Sequence, residues 1–306
     1  MSGDTPGPWE AALHELRRRS LRGVKRIARP VWMRRLDARN RAAREPLLSA
    51  DGPVVSLTTY EPRWHSVHYT IESIGAGRLR PSRLVLWVAP SVLTLGMPQA
   101  LQRQVARGLE IRSCEDLGPH KKYYPMVHEP SLGRDLVTAD DDVLYWSGWL
   151  AALDAAARRR PGLVHAHRAS VMSFDGAARF RPYREWPACR TTQPSPLHFF
   201  TGVGGVLYPP PMQEALRGAG DGFRATCPRA DDIWLNAVAW RSGVAVCQVA
   251  RFAPLLFEVP GTRAHGLAKE NRDGGGNDRQ LMQTYTAQER MRLQALASEQ
   301  ALERSR

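Results

Sequence analysis

The chain has 306 residues, 43% of them hydrophobic, and carries 43 Lys and Arg against 30 Asp and Glu, a formal net charge of +13. That is enough for a sizeable core, in one large α/β domain with appendages or in two small domains. No run of about 18 uncharged apolar residues occurs, which excludes a membrane-spanning helix, and the Arg-rich start lacks the apolar stretch of a secretory signal, so a cytoplasmic location is expected.

The excess charge is unevenly placed. Residues 1–45 hold twelve Arg or Lys, all between Arg17 and Arg44, and five acids, so +7 of the +13 sits there and +6 in the other 261 residues. Such a segment suits a phosphate-rich partner: nucleic acid, a nucleotide or an anionic lipid surface. The four cysteines, at 114, 189, 227 and 247, form no C-x-x-C pair or zinc-like spacing, and read as scattered reduced thiols.

In chain order, residues 1–50 read as a basic arm in which Leu13, Leu16, Leu21, Val24, Ile27 and Trp32 alternate with arginines and Pro30 interrupts. Two short basic helices are expected, either as a solvated, partly disordered arm or as an amphipathic anchor on an anionic membrane face. At Pro53 the texture changes, and Val54-Val55-Ser56-Leu57-Thr58-Thr59 reads as a buried strand ending at the Tyr60-Glu61-Pro62 turn. A helix is expected over 66–76, a strand over 84–88, a helix over 99–108 and a strand over 109–112. The next strand, from Asp135, runs into Asp140-Asp141-Asp142. A helix over 147–159, a strand over 162–167, a Pro- and Arg-rich loop over 174–196 and a Gly-rich stretch from Thr201 follow. A helix then opens near Asp231-Asp232, and the last twenty residues read as one polar, exposed helix. Strands alternating with helices predict a mostly parallel sheet flanked by helices, with ligands at the C-terminal strand ends.

Three consecutive carboxylates at a strand end repel one another and call for a compensating cation, such as Mg²⁺ or Mn²⁺ bound together with substrate phosphates; the plainer alternative is a solvated acidic turn. Lys121 and Lys122, between Gly118-Pro119 and two tyrosines, can neutralise a diphosphate or be a surface pair. Gly202, Gly204 and Gly205 permit close backbone approach or form a bulge. One carboxylate of Asp231-Asp232 is accounted for by helix capping; the second is not. His165 and His167 share a face of a strand, where one packed and one polar histidine is the commoner outcome.

The order of first strand, Gly118-Pro119-His120-Lys121-Lys122-Tyr123-Tyr124-Pro125, acidic triplet, Gly-rich segment and second acidic pair resembles the GT-A glycosyltransferases, in particular bacterial family-2-like enzymes with a DxD or DDD motif, over residues 53–285. The resemblance implies a GT-A, Rossmann-like single domain over 51–285, between the arm (1–50) and a helical tail (286–306). It also implies metal-dependent, inverting transfer of a sugar from a nucleotide-diphosphate sugar to a hydroxyl of a saccharide or lipid-linked glycan. Asp140 then faces the ribose or the metal, Asp142 is the direct metal ligand, Asp141 serves either role, and His265 completes a Mn²⁺ or Mg²⁺ sphere. Thr58, Tyr60, Arg63, Lys121 and Lys122 belong to the donor site, with Tyr60 on the base and Arg63 toward a phosphate. Gly204 and Gly205 line the sugar pocket; Asp232 is the general base and Asp231 a cap or acceptor contact. Asn277 and Asp278 are further contact candidates.

Two other readings compete. A nucleotidyltransferase normally shows a Gly-rich basic loop after its first strand, where this chain has Thr58-Thr59-Tyr60-Glu61-Pro62-Arg63. A nucleic-acid-binding protein would act through the basic arm, but residues 51–306 contain no nucleic-acid-binding motif, so no nucleic-acid partner is expected.

Overall fold

The computed structural model describes residues 8–130, 132–262, 271 and 274–304. Internal packing divides the chain into Met1–Ala43 and Arg44–Arg306.

The first unit is a single helix, α1 (Pro8–Ala42), in place of the two short helices expected. Pro30 removes one backbone donor inside it, yet the Arg-, Leu- and Ala-rich flanks have high enough helix propensity to carry the helix through.

In the second unit, β1 (Val54–Thr58) is followed by α2 (Val67–Gly75), β2 (Arg83–Val88), α3 (Pro90–Leu93), α4 (Gln99–Val105) and β3 (Leu109–Ser113). Next come α5 (Tyr124–His128), β4 (Leu136–Ala139), β5 (Val143–Leu144), α6 (Trp149–Arg159), β6 (Val164–Ala166) and β7 (Ala169–Val171). The chain continues through β8 (His198–Phe200), β9 (Val206–Tyr208), α7 (Pro210–Ala219), α8 (Phe223–Thr226), α9 (Asp231–Arg241) and β10 (Val246–Gln248). It ends with β11 (Phe257–Glu258), α10 (Gly276–Thr284) and α11 (Ala287–Arg304).

Seven strands form the central sheet in the order β10-β6-β9-β4-β1-β2-β3. The pairs β1–β2, β1–β4, β2–β3 and β6–β10 are parallel, while β9 runs antiparallel to both β4 and β6. The expected mostly parallel sheet flanked by helices is the architecture found.

Burial on both faces explains the continuous apolar runs. Val54, Val85 and Leu136 face one core with Tyr123, Phe200 and Trp234, whereas their neighbours Val55, Leu84 and Val137 face the other with Trp64, Ile71 and Trp149. Under α2, Glu72 is fully buried and paired with Arg107 at 2.9 Å, with Gln104 Nε2 donating to the same carboxylate at 3.0 Å.

One expectation is corrected here. The last helix is not wholly exposed: Leu293 of α11 is fully buried in the core, and Glu289 pairs with Arg241 of α9 at 2.8 Å. Its polar average hid a narrow apolar seam, Leu293, Leu296 and Ala297, at helical spacing. The 174–196 segment is a loop, as expected, flanked by the paired β7 and β8, and its Phe180, Tyr183 and Trp186 pack as an aromatic cluster reaching Phe199 and Tyr285. All four cysteines are free thiols, three of them buried.

Candidate active site

Strands β1, β2 and β3 run to one side and β4 lies on the other side of β1, so the strand order reverses between β1 and β4, and the crevice at the C-terminal strand ends there is where an open α/β sheet places a ligand. Thr59, Tyr60 and Arg63 follow β1 there, and the acidic triplet follows β4.

The triplet is split by the turn between β4 and β5, in which Asp141 and Asp142 lie. Asp141 turns inward, accepting from Thr59 Oγ1 at 2.6 Å and from Arg63 Nη1 at 2.5 Å, while Thr70 Oγ1 of α2 donates to its backbone carbonyl at 2.9 Å. Asp140 and Asp142 stay partly open, with side chains 28% and 17% exposed against 6% for Asp141. Asp142 pairs with Arg63 Nη2 at 2.9 Å. Burial raises its carboxyl to about 7, against the pull of Arg63 and with help from the charges of Asp140, Asp141 and Glu258. One arginine therefore does not neutralise this end of the cluster.

Asp140 faces a second group. Its Oδ1 accepts from Lys122 Nζ at 2.8 Å, and its backbone N–H donates to Tyr145 Oη at 2.9 Å. Lys122 also stands 2.9 Å from Asp231 Oδ2, an ion pair lying outside hydrogen-bond angles. Burial disfavours the Lys122 ammonium, but Asp140, Asp231 and Asp232 outweigh it and hold the charge above its ordinary range. Asp232 Oδ1 accepts the Gly202 N–H at 2.9 Å. Its carboxyl reaches about 7, raised first by burial and then by Asp231 and Asp140, with Lys122 and the Gly202 N–H opposing.

Local sequence explains these positions. Asp231 and Asp232 occupy the first turn of α9, where free N–H groups and the helix dipole favour acids. Asn236, one turn later, exchanges hydrogen bonds with Phe200 and donates to the Asp232 carbonyl at 2.7 Å, fixing α9 against β8. Lys122 ends a 3-10 turn over Gly118–Lys122, anchored by His120, whose Nε2 donates to the Cys227 carbonyl at 2.9 Å and whose ring stacks on Phe223. Burial lowers His120 to about 4, so it stays neutral. Gly202 is required by contact: a Cβ there would lie 2.7 Å from Lys122 Nζ and 3.1 Å from Asp232 Oδ1.

The structure thus brings together Arg63, Lys122, Asp140, Asp142, Asp231 and Asp232. Other candidates lie apart from this group. Lys121 turns away to pair with Asp116, and Thr58 Oγ1 donates to the Trp87 carbonyl at 2.8 Å. Tyr60 remains at the mouth, with the Arg63 guanidinium 5.3 Å from its ring centre. Gly204 and Gly205 receive Trp149: its Nε1 donates to the Gly204 carbonyl, and Gly205, at φ 88, would place a Cβ 2.5 Å from the indole. His165 and His167 are buried and bond the carbonyls of Arg160 and Trp149. Asp278 caps the 174–196 segment by accepting from the Tyr183 N–H at 2.7 Å.

His265 lies outside the described residues. The chain reaches that segment beside the triplet, with β11 pairing β5, Val259 N–H donating to the Asp142 carbonyl and Arg63 Nη2 donating to the Thr262 carbonyl. Among the described residues, no group of three or more His, Cys, Asp or Glu is arranged to hold a metal. A concavity of about 390 Å³, lined by residues that include Val54, Ser82, Arg83 and Arg134, opens at the start of β1 and β2, away from these acids. The chemistry, not the cavity, marks the site.

Thr70, Tyr145 and Asn236 are supporting residues to which the sequence alone assigns no role; of these only Asn236, a polar residue inside an apolar helical run, offers a signal.

No family model matches the chain, and no curated protein does. Among solved structures it is similar to an active-site mutant of LgtC at 11% identity and a TM-score of 0.37, covering 63% of this chain and 71% of that one.

Proposed function

We propose that the chain is a metal-dependent glycosyltransferase that moves a sugar from a nucleotide-diphosphate sugar to a hydroxyl of a saccharide or lipid-linked glycan, with inversion. The carrying observation is the convergence of Asp140, Asp142, Asp231 and Asp232, from two distant segments, around the buried ammonium of Lys122 and the guanidinium of Arg63 at the C-terminal strand ends. With Asp141 also paired to Arg63, five carboxylates share two cations in this crevice, more than structural salt bridges call for.

A divalent cation fits this donor set. Mg²⁺ and Mn²⁺ take one or two carboxylates and complete their sphere with water and substrate phosphates, so two partly open carboxylates suffice. Asp140 and Asp142 would hold it, with His265 as a third ligand. Burial first, and then the charges of Asp140, Asp141 and Glu258, raise the Asp142 carboxyl, and a bound cation would favour its ionised form. Bound there, the metal supplies electrostatic stabilisation to the departing diphosphate.

The chain's own groups do the rest. Asp232, with a carboxyl near 7, takes the proton from the acceptor hydroxyl as its oxygen bonds to the anomeric carbon and the bond to the diphosphate oxygen breaks. Asp231 holds Lys122, which keeps Asp140 oriented. Arg63 orients Asp142 and leaves its buried Nε without a partner among the described residues, a donor available to a phosphate oxygen. Tyr60, at the mouth, offers a face to the base.

The test is release of nucleoside diphosphate from a panel of UDP-, GDP- and dTDP-sugars. Turnover of one donor class is expected, abolished by EDTA and restored by Mn²⁺ or Mg²⁺. Turnover unaffected by EDTA would remove the metal from the proposal, and no turnover of any donor would remove the transferase reading.

A further inference from the structure

We infer that the exposed face of α1 binds the surface of an anionic lipid bilayer. This is independent of the glycosyltransferase reading, because it uses none of the site residues.

The helix runs without a break from Pro8 to Ala42, about 50 Å at 1.5 Å per residue, and no described helix is long and apolar enough to cross a membrane. It therefore suits a bilayer as an element lying along the surface. Among its described side chains, Ile27, Val31, Arg34, Arg35, Ala38 and Arg41 are exposed, and their spacing of mostly three and four residues puts them on one face. Ile27 is 75% exposed and Val31 44%. They lie one turn apart, followed at once by the cations of Arg34 and Arg35. The sequence continues the pattern backward, with Leu13, Leu16, Ser20 and Val24 at the same spacing and arginines between them. Residues 1–45 hold twelve basic groups against five acids, the charge complement of a surface rich in anionic headgroups.

Both properties on one face decide between partners. Nucleic acid needs the cations alone and gains nothing from two exposed branched aliphatics. A bilayer uses both, the aliphatics in the boundary of the acyl region and the guanidinium groups at the phosphates.

The test is co-sedimentation of the full chain with vesicles of phosphatidylcholine, alone or with about one third phosphatidylserine. The wild type should pellet with the anionic vesicles only, and less as salt rises. Ile27→Ser/Val31→Ser and Arg34→Gln/Arg35→Gln/Arg41→Gln should each bind at least about tenfold more weakly, with helix content by circular dichroism unchanged. Asp142→Asn should pellet as the wild type does, separating this face from the active site. Wild type that stays in the supernatant overturns the inference. So does a serine variant that binds like wild type, which leaves charge adsorption alone, or tighter binding to duplex DNA than to the anionic vesicles at equal salt.

Discussion

Asp232→Asn is expected to lower sugar transfer by about 10²–10⁴-fold while leaving fold and donor binding intact. Asparagine keeps the shape and can still accept the Gly202 N–H that Asp232 Oδ1 accepts at 2.9 Å, so the backbone over the site should not move. It cannot take a proton. The wild-type carboxyl is raised to about 7, so kcat/KM should climb with pH toward that value and level above it, where the base is ionised. The variant should lose that limb. Nucleoside diphosphate release followed from pH 5 to 9 measures both effects; a loss below tenfold, or an unchanged limb in the variant, would take the proton-accepting role away from Asp232.

Lys122→Met is the second large effect, and it appears in stability as well as activity. Lys122 has a side chain only 6% exposed and stands between Asp140 and Asp231 at 2.8 and 2.9 Å. Removing one partner from a buried ionic cluster costs on the order of 3–5 kcal/mol, because the acids left behind are uncompensated. For a chain of this size the melting temperature should fall by roughly 10 °C. The sign with pH follows from the carboxyls. Asp142 and Asp232 already have folded values near 7, above those of an unfolded chain, so between about pH 4 and 7 the folded state binds more protons and stability falls as pH rises. Without Lys122 the Asp232 carboxyl moves further up, so the deficit of the variant should be largest at pH 8 and shrink toward pH 5. Thermal melts at the two pH values check it; a deficit independent of pH would mean that lost packing, rather than unbalanced charge, sets the cost.

The same physics separates what was legible in the sequence from what was not. Strands β1, β2 and β4 announced themselves because burial on both faces demands continuous branched aliphatics. The two acidic groups stood out because neither a strand end nor a helix cap accounts for so many carboxylates. Their meeting was not legible: Lys122 and Asp231 are 109 positions apart, and only the sheet order brings them together. Adjacent Lys121 and Lys122 looked equivalent, yet a 3-10 turn sends one to Asp116 and the other into the crevice. Gly204 and Gly205 drew notice as glycines, whereas the Trp149 ring that accounts for their lack of side chains lies 55 positions from Gly204. Strand β9, three residues long, gave no signal of its antiparallel direction.

The most direct test of the central proposal is thermal stabilisation by UDP, GDP, CMP and dTDP, each with and without Mn²⁺, on the wild type and on Asp142→Asn. A ligand at 100 times its dissociation constant adds about 2.7 kcal/mol, several degrees for this chain. One nucleotide should stabilise the wild type only when Mn²⁺ is present, and Asp142→Asn should lose that shift. No shift with any nucleotide, or an equal shift in the variant, would contradict a metal and diphosphate site at the triplet.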